Sequence, residues 1–274
     1  MLLNNRLYHL FGRCYMPMIF LRMLMLLCLS GLNTTVFAAT SPLANDDWTI
    51  TVTPYLWAQS SNGNVSALGH RAPLNVPFDK ALRDTNAGFM GNVSVTHGRL
   101  GGFIDAQYLR LSGSHNIDAY GDQISGRGSS TMVSLGAFYR AYQLPLGGNT
   151  IFNDPRLFIV EPLVGVRWTR LSAHIGALGH EVSDHALWQI PFVGSRLIYD
   201  LSDRWRWGIE GDIGGLHDQL ALQGQTWLGY RTVILGVNTE LRAGYRALYQ
   251  NYKKGDFDWD VTQYGPVVGV AMHF

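Results

Sequence analysis

Residues 265–274 read GPVVGVAMHF. Tyr264, Pro266, Val268, Val270, Met272 and Phe274 fall on one side of an extended chain. Gly265, Val267, Gly269, Ala271 and His273 fall on the other. Side chains of a strand alternate between its faces with a period of two, so this is a strand with one wholly apolar face. A soluble domain rarely finishes on a continuous hydrophobic strand with a bare aromatic and no polar tail. A strand that must close a sheet within lipid does, because an open sheet edge is not tolerated there.

The same alternation recurs upstream. In Trp48–Trp57, Trp48, Ile50, Val52, Pro54 and Leu56 oppose three threonines, Tyr55 and Trp57. In Leu157–Thr169, Phe158, Val160, Pro162, Val164, Val166 and Trp168 oppose Glu161, Gly165, Arg167 and Thr169. Trp205–Gly215 sets Trp207, Ile209 and Ile213 against Glu210 and Asp212. Val237–Tyr249 sets Leu241, Ala243 and Tyr245 against Glu240, Arg242 and Arg246. Further strands are expected over Asn86–Thr96, Arg99–Leu111, Ser129–Tyr142, Leu187–Tyr199 and Leu220–Arg231, the Leu187 strand alternating weakly. Short turns are expected at 96–99, 201–204 and 232–235, and longer polar loops at 112–128, 172–186 and 251–257.

A soluble sandwich also has one apolar face per strand. Two features point instead to a membrane. Trp48, Trp168, Trp207, Tyr230, Tyr245, Tyr249, Tyr264 and Phe274 gather near strand ends on the apolar face, as aromatic girdles do at membrane interfaces. Loops alternate short and long, as in outer-membrane barrels. The expected fold is therefore all-β, a transmembrane antiparallel barrel of about ten strands. The stretch GNVSALGHRAPLNVP at 63–77 decides the number. As a hairpin it leaves ten; as two spanning strands it makes about twelve, although each arm is shorter than the ~9–11 residues needed to cross.

Composition agrees. Charged residues are 15% of the 274, where an ordinary soluble domain has about 25%. Formal net charge is +1. No basic patch suggests nucleic acid, and no sequence feature suggests a cofactor. Residues 1–38 read as a secretory signal: Arg6, Arg13 and Arg22, the apolar run MLMLLCLSGL, and Val36-Phe37-Ala38 before cleavage. The barrel is then 39–274. Cys14 and Cys28 both lie in the signal, so the exported chain carries neither a disulfide nor a thiolate.

PYLWA at 54–58, NAGFMGNVSVTHGRLGGFIDAQYLRL at 86–111, EGDIGG at 210–215 and GYRALYQNYKKGDFDWDVTQYGPVVGV at 244–270 together resemble a family of proteobacterial outer-membrane β-barrel proteins of undefined role. The resemblance covers nearly all of the exported chain. It implies the fold and the outer membrane of a Gram-negative cell, and it brings no catalytic residues. The terminal positions Tyr264, Val268, Val270, Met272 and Phe274 resemble the strand signal of such proteins. That implies periplasmic chaperones and the barrel-assembly machinery as partners, with outer-membrane lipid and lipopolysaccharide around the barrel.

The polar faces assign a lumen: Asp105, Glu161, Glu210, Asp212 and Glu240 with Arg140, Arg167, Arg196, Arg242 and Arg246. Charges in a narrow barrel must be paired or hydrated. They either line a small passive pore or knit a filled, structural barrel. Interior glycines (Gly136, Gly165, Gly244, Gly265, Gly269) leave room for long arginines or for water. A loop-mediated binding or adhesion barrel is the alternative function, and a lipid-modifying enzyme a further one. For an enzyme the residues offer little: no His is followed by Ser two positions on, and Glu210 with Asp212 is the one notable carboxylate pair. His174, His180, His185 and His217 in or near loops lack metal-ligand spacing. Asp256, Asp258 and Asp260 read as solubilising residues, and His273 as a polar plug at the periplasmic rim.

Overall fold

The computed structural model describes residues 47–274, save 68–69, 80–84, 118–121, 178–179, 217–218 and 256. The signal segment, His217 and Asp256 lie outside the described residues, as do the side chains of His174 and His180. In chain order the strands are β1 (Trp48–Trp57), β2 (Ser60–Ala67), β3 (His70–Val76), β4 (Thr85–His97), β5 (Leu100–Ile117), β6 (Asp122–Tyr139) and β7 (Tyr142–Asn149). They continue as β8 (Pro155–Ala177), β9 (His180–Asp200), β10 (Trp205–Leu216), β11 (Gln219–Ile234), β12 (Val237–Lys254) and β13 (Phe257–His273).

All pairings are antiparallel, in the order β1-β4-β5-β6-β8-β9-β10-β11-β12-β13, and β13 returns to β1. The barrel therefore has ten staves. At the join, Thr51 faces His273, Val52 faces Met272 and Leu56 faces Val268. Ile50 and Phe274 exchange both backbone hydrogen bonds, at 3.0 and 2.8 Å. Tyr264, Val268, Val270, Met272 and Phe274 thus lie on the strand that zips the barrel shut, with β12 on its other side. The 63–77 stretch is a hairpin: β2 runs on above β1 along β13, and β3 folds back onto β2.

Which face looks outward follows the alternation. Ile50, Leu56, Val93, Ile104, Leu135, Val164, Val193, Ile213, Leu241 and Val268 are exposed. The alternate positions Thr53, Trp57, Glu161, Arg167, Glu210, Asp212 and Arg246 are buried. A closed antiparallel sheet with an apolar outer band, girdle aromatics (Trp48, Trp207, Tyr245, Phe274) and a polar interior spans a membrane. Short turns at Gly98–Arg99, 201–204 and Leu235–Gly236 share one end with Trp48 and Phe274, the periplasmic end of an outer-membrane barrel.

Two expectations are corrected, and one is explained. The long polar stretches 112–128, 172–186 and 251–257 are not loops: pairing runs on to Ile117↔Asp122, Ala177↔His180 and Lys254↔Phe257. The backbone ladder continues past the point where the apolar/polar alternation fades, since pairing depends on main-chain groups and not on which side is apolar. The weak alternation of the Leu187 strand has its own cause. Trp188, Ile190 and Phe192 fill the lumen while Leu187 and Val193 face lipid. Finally, β6 ends at Tyr139. The chain breaks step at Arg140 and Ala141 and resumes as β7, which pairs with Phe158–Val160 of β8 while β9 pairs with the same residues on their other side.

Candidate functional site: the lumen and its two ends

The ten charges assigned to the lumen all sit on the inner face, and each acid meets a base. Glu161 accepts from Arg140 Nε and from Arg196 Nη1, both at 3.1 Å. Arg196 Nε also donates to Glu210 at 2.6 Å, and Gln225 Nε2 donates to the other Glu210 oxygen. Arg167 takes Asp212 with two nitrogens, Nη1 at 3.1 Å and Nη2 at 2.9 Å. Arg242 Nε donates to Glu240 at 2.6 Å. Arg246 lies 3.6 Å from Asp105 and donates to Tyr55 Oη and to Gln223, while Tyr55 donates to Asp105. Glu240 is 0% exposed, Glu161 1% and Arg167 1%. A hydrated channel would leave such groups wet. Their burial is tolerated because guanidinium–carboxylate bonds and added hydrogen bonds offset desolvation.

A lower layer completes the network, built on residues the alternation reaches but the strand ends obscured. Asp200 accepts from Arg206 Nε at 2.8 Å, from Arg231, and from the Leu157 amide at 2.9 Å. Arg206 also lies 3.6 Å from Glu240. Asp200 and Arg206 share the even-numbered inward parity of Arg196 and Glu210, which was the available signal. They sit beside a turn, where parity reads as solvent-facing.

Aromatic rings fill the hollows of two interior glycines: a Cβ on Gly136 would lie 2.6 Å from the Phe103 ring and one on Gly165 2.5 Å from the Phe192 ring. Gly244, Gly265 and Gly269 instead lie close against the neighbouring strand, facing Thr226, Ala58 and Tyr55. Phe103, Phe138, Leu163 and Phe192 form one buried cluster. The arginines then stack on these rings: Arg167 is 4.8 Å from the Phe192 centroid, Arg196 5.3 Å from Phe138, Arg246 4.9 Å from Trp57.

At the periplasmic end, β7 and β8 form a hairpin that was absent from the expected elements. Positive φ at Gly147, Gly148 and Asn153 shapes its bend, and a register shift between Pro145 and Asn149 marks a bulge. Its tip bends across the mouth. Ile151 N–H donates to the Asp203 carbonyl at 3.2 Å, and Arg156 donates to the carbonyls of Asp200 and Leu201. The Phe152 ring lies 6.1 Å from that of His273, on the strand opposite β8 in the barrel order. His273 is meanwhile 3.0 Å from Thr51 Oγ1.

The extracellular half differs. A narrow recess of about 10 Å³, room for about one water molecule, is lined by Gln59, Gln107, Gln250, Gln263, Ser130 and Thr169, with Met132 and Trp259 among its apolar walls. No lining side chain is charged. Gln250 donates to Thr169 at 3.1 Å, whereas the buried Gln59 Oε1 and Trp259 Nε1 have no hydrogen-bond partner.

As for the other candidates, Glu210 and Asp212 are both engaged by arginine, so the pair has no spare carboxyl for acid–base work. Among the described residues no group of three or more His, Cys, Asp or Glu is placed to hold a metal. Asp258 lies opposite Lys253, and Asp260 opposite Asn251, in the β12–β13 ladder.

No protein-family model and no curated protein matches the chain. Solved structures do. The attachment invasion locus protein Ail of Yersinia pestis, in complex with the heparin analogue sucrose octasulfate, matches at 11% identity. That match covers 84% of this chain and 100% of that one, with a TM-score of 0.40. The translocator domain of autotransporter NalP from Neisseria meningitidis is 12% identical over 94% of this chain and 96% of its own, TM-score 0.30. Neisserial surface protein A is 13% identical over 83% and 97%, TM-score 0.26. The likeness is one of fold alone.

Proposed function

We propose that this chain is a non-conducting outer-membrane barrel that works by binding at its extracellular end. Of the pore and the filled barrel that the sequence leaves open, the filled barrel has the better support. The observation that carries it is the β7–β8 hairpin laid across the periplasmic mouth, with Phe152 against His273. Above it the lumen charges are paired and stacked on rings, which leaves no ring of free charge to select ions. The binding half rests on length. β8 has 23 residues and β9 has 21, about twice what a tilted strand needs to cross. The ribbons therefore stand well clear of the membrane on the outer side. Insertion would use periplasmic chaperones and the barrel-assembly machinery, and lipopolysaccharide would surround the outer half.

Single-channel recording of the refolded chain in a planar bilayer tests this, beside a variant lacking residues 144–153. The intact barrel is expected to be silent and the deletion to pass current. Steady conductance from the intact barrel, altered in ion selectivity by Arg242→Ala with Arg246→Ala, would overturn the reading in favour of a lined pore.

A further inference from the structure

The arginines of the lumen are answered by carboxylates. Two arginines on the outer wall are not. Arg110 on β5 and Arg170 on β8 are exposed and share the outward parity of Ile104 and Val164. Neither forms an ion pair or a side-chain hydrogen bond among the described residues. The register gives their surroundings. One row across the outer face runs Tyr108, Thr131, Arg170 and Leu187. The next row up runs Arg110, Ser129, Ser172 and His185. Ser129 and Thr131 of β6 therefore lie between the two arginines, and no acidic residue stands in either row.

Spacing follows from the same register. The two Cα atoms are separated by two strand spacings across the sheet and two residues along it, roughly 12 Å in all. Two long arginine side chains can close over the Ser129 and Thr131 hydroxyls from either side. The opposite wall differs. There β12 and β13 set Asn251 against Asp260 and Lys253 against Asp258 on the outward face. Acids outnumber the cation on that side, whereas the β5–β8 face is left positive.

The height matters. Leu100 on β5 and Phe158 on β8, the latter packed beside Tyr199, mark the periplasmic rim of the apolar band. From Leu100 to Arg110, and from Phe158 to Arg170, the rise is roughly 25–30 Å for tilted strands. The band is ~25 Å tall, so both guanidiniums stand at its outer edge. Trp168 lies one row below Arg170 and donates to Gln189 at 3.1 Å, as a girdle ring does with its polar tip. Hydrocarbon ends at this level and lipid head groups begin.

We propose that this face of β5, β6 and β8 binds the phosphorylated sugar head of an outer-leaflet glycolipid. A guanidinium presents paired N–H groups that match two phosphate oxygens, and such charge-assisted bonds are about twice as strong as neutral ones. Ser129, Thr131 and Ser172 add hydroxyls that donate to or accept from a sugar. The rows below, with Leu135 49% and Val164 56% exposed, receive the acyl chains. A phosphate monoester carries about −1.5 to −2 at neutral pH, against a single charge on a phosphodiester, so a pair of free cations favours the sugar phosphate over a phospholipid. The site lies on the outer wall, goes beyond the closed-barrel reading and does not depend on it.

The test titrates the chain, refolded in neutral detergent micelles, with deep-rough lipopolysaccharide and follows binding by isothermal titration calorimetry. Arg110→Gln with Arg170→Gln should weaken binding by about tenfold or more. Lys253→Gln should leave it unchanged, and a loss there as large as in the double variant would reduce the binding to net charge and overturn the site. Lipopolysaccharide stripped of its phosphates should bind the intact chain about tenfold more weakly. Equal affinity of the intact chain and the double variant, or of the phosphate-bearing and phosphate-free lipids, overturns the site. Phosphatidylglycerol should bind about tenfold more weakly than lipopolysaccharide, and equal affinity overturns the choice of a sugar phosphate. Heat-dependent gel mobility reports folding. If the double variant does not fold, Arg110→Gln alone should weaken binding by about threefold, and no change overturns the site. The chain lacking residues 144–153 should bind as the intact chain does, so the lipid site and the closed barrel fail separately.

Discussion

The lower lumen is built from charge and the upper from amides. Below Arg167, every lumen carboxylate is paired with a guanidinium, rings fill the hollows of Gly136 and Gly165, and a hairpin covers the mouth. Above, Gln59, Gln107, Gln250 and Gln263 surround a narrow uncharged recess, two of whose buried polar atoms lack partners. The contrast separates two duties. A network of paired charges fixes one arrangement, because removing one member strands its partner. A neutral, half-satisfied region tolerates rearrangement and has something left to offer a ligand.

The largest expected effect is at the base. Asp200→Ala strands Arg206 and Arg231 together and should cost about 3–5 kcal/mol, read as a lowered urea midpoint of the refolded barrel. A change under ~1 kcal/mol would mean that the lower half is hydrated and the contrast false. Next, Gly136→Ala drives a methyl into the Phe103 ring and the Val164 carbonyl and should cost about 1–3 kcal/mol by the same measurement. No loss would show the rings to be loosely held. The smallest effect belongs to the top. Gln250→Ala removes the bond to Thr169 and should cost about 0.5–1.5 kcal/mol. A loss as large as that of Asp200→Ala would erase the distinction between the halves.

Much of this was legible in the sequence. A period of two places Glu161, Arg167, Glu210 and Arg246 inside and Val164, Ile209 and Tyr245 outside without any coordinates. What alternation carries is facing, and only where one side meets lipid. It falls silent over 112–128 and 172–186, where backbone pairing continues regardless. It misleads at Trp188–Phe192, where the inward residues Trp188, Ile190 and Phe192 are the apolar ones and Gln189 points outward. It also says nothing of where two strands part. The end of β1–β4 pairing at Gly91 has no mark in the alternation, and the β7–β8 hairpin depends on contacts from Ile151 to Asp203 and from Phe152 to His273, far apart in the chain. The recess was illegible for the same reason: its glutamines come from separate staves, and no spacing links them.

The join between Thr51 and His273 has a consequence in time. These residues are 222 positions apart, and their strands are the first and last staves. Most other neighbouring staves follow one another in the chain and can zip as local hairpins within microseconds of their sequence becoming free. The closing pair cannot, because it must gather the whole chain before a single bond repays the lost entropy. Until then two raw edges stand open at once, Trp48–Trp57 on one side and Val267–Phe274 on the other, each able to accept a stranger's strand. The interval before closure, rather than the finished wall, is when this molecule is most exposed to error.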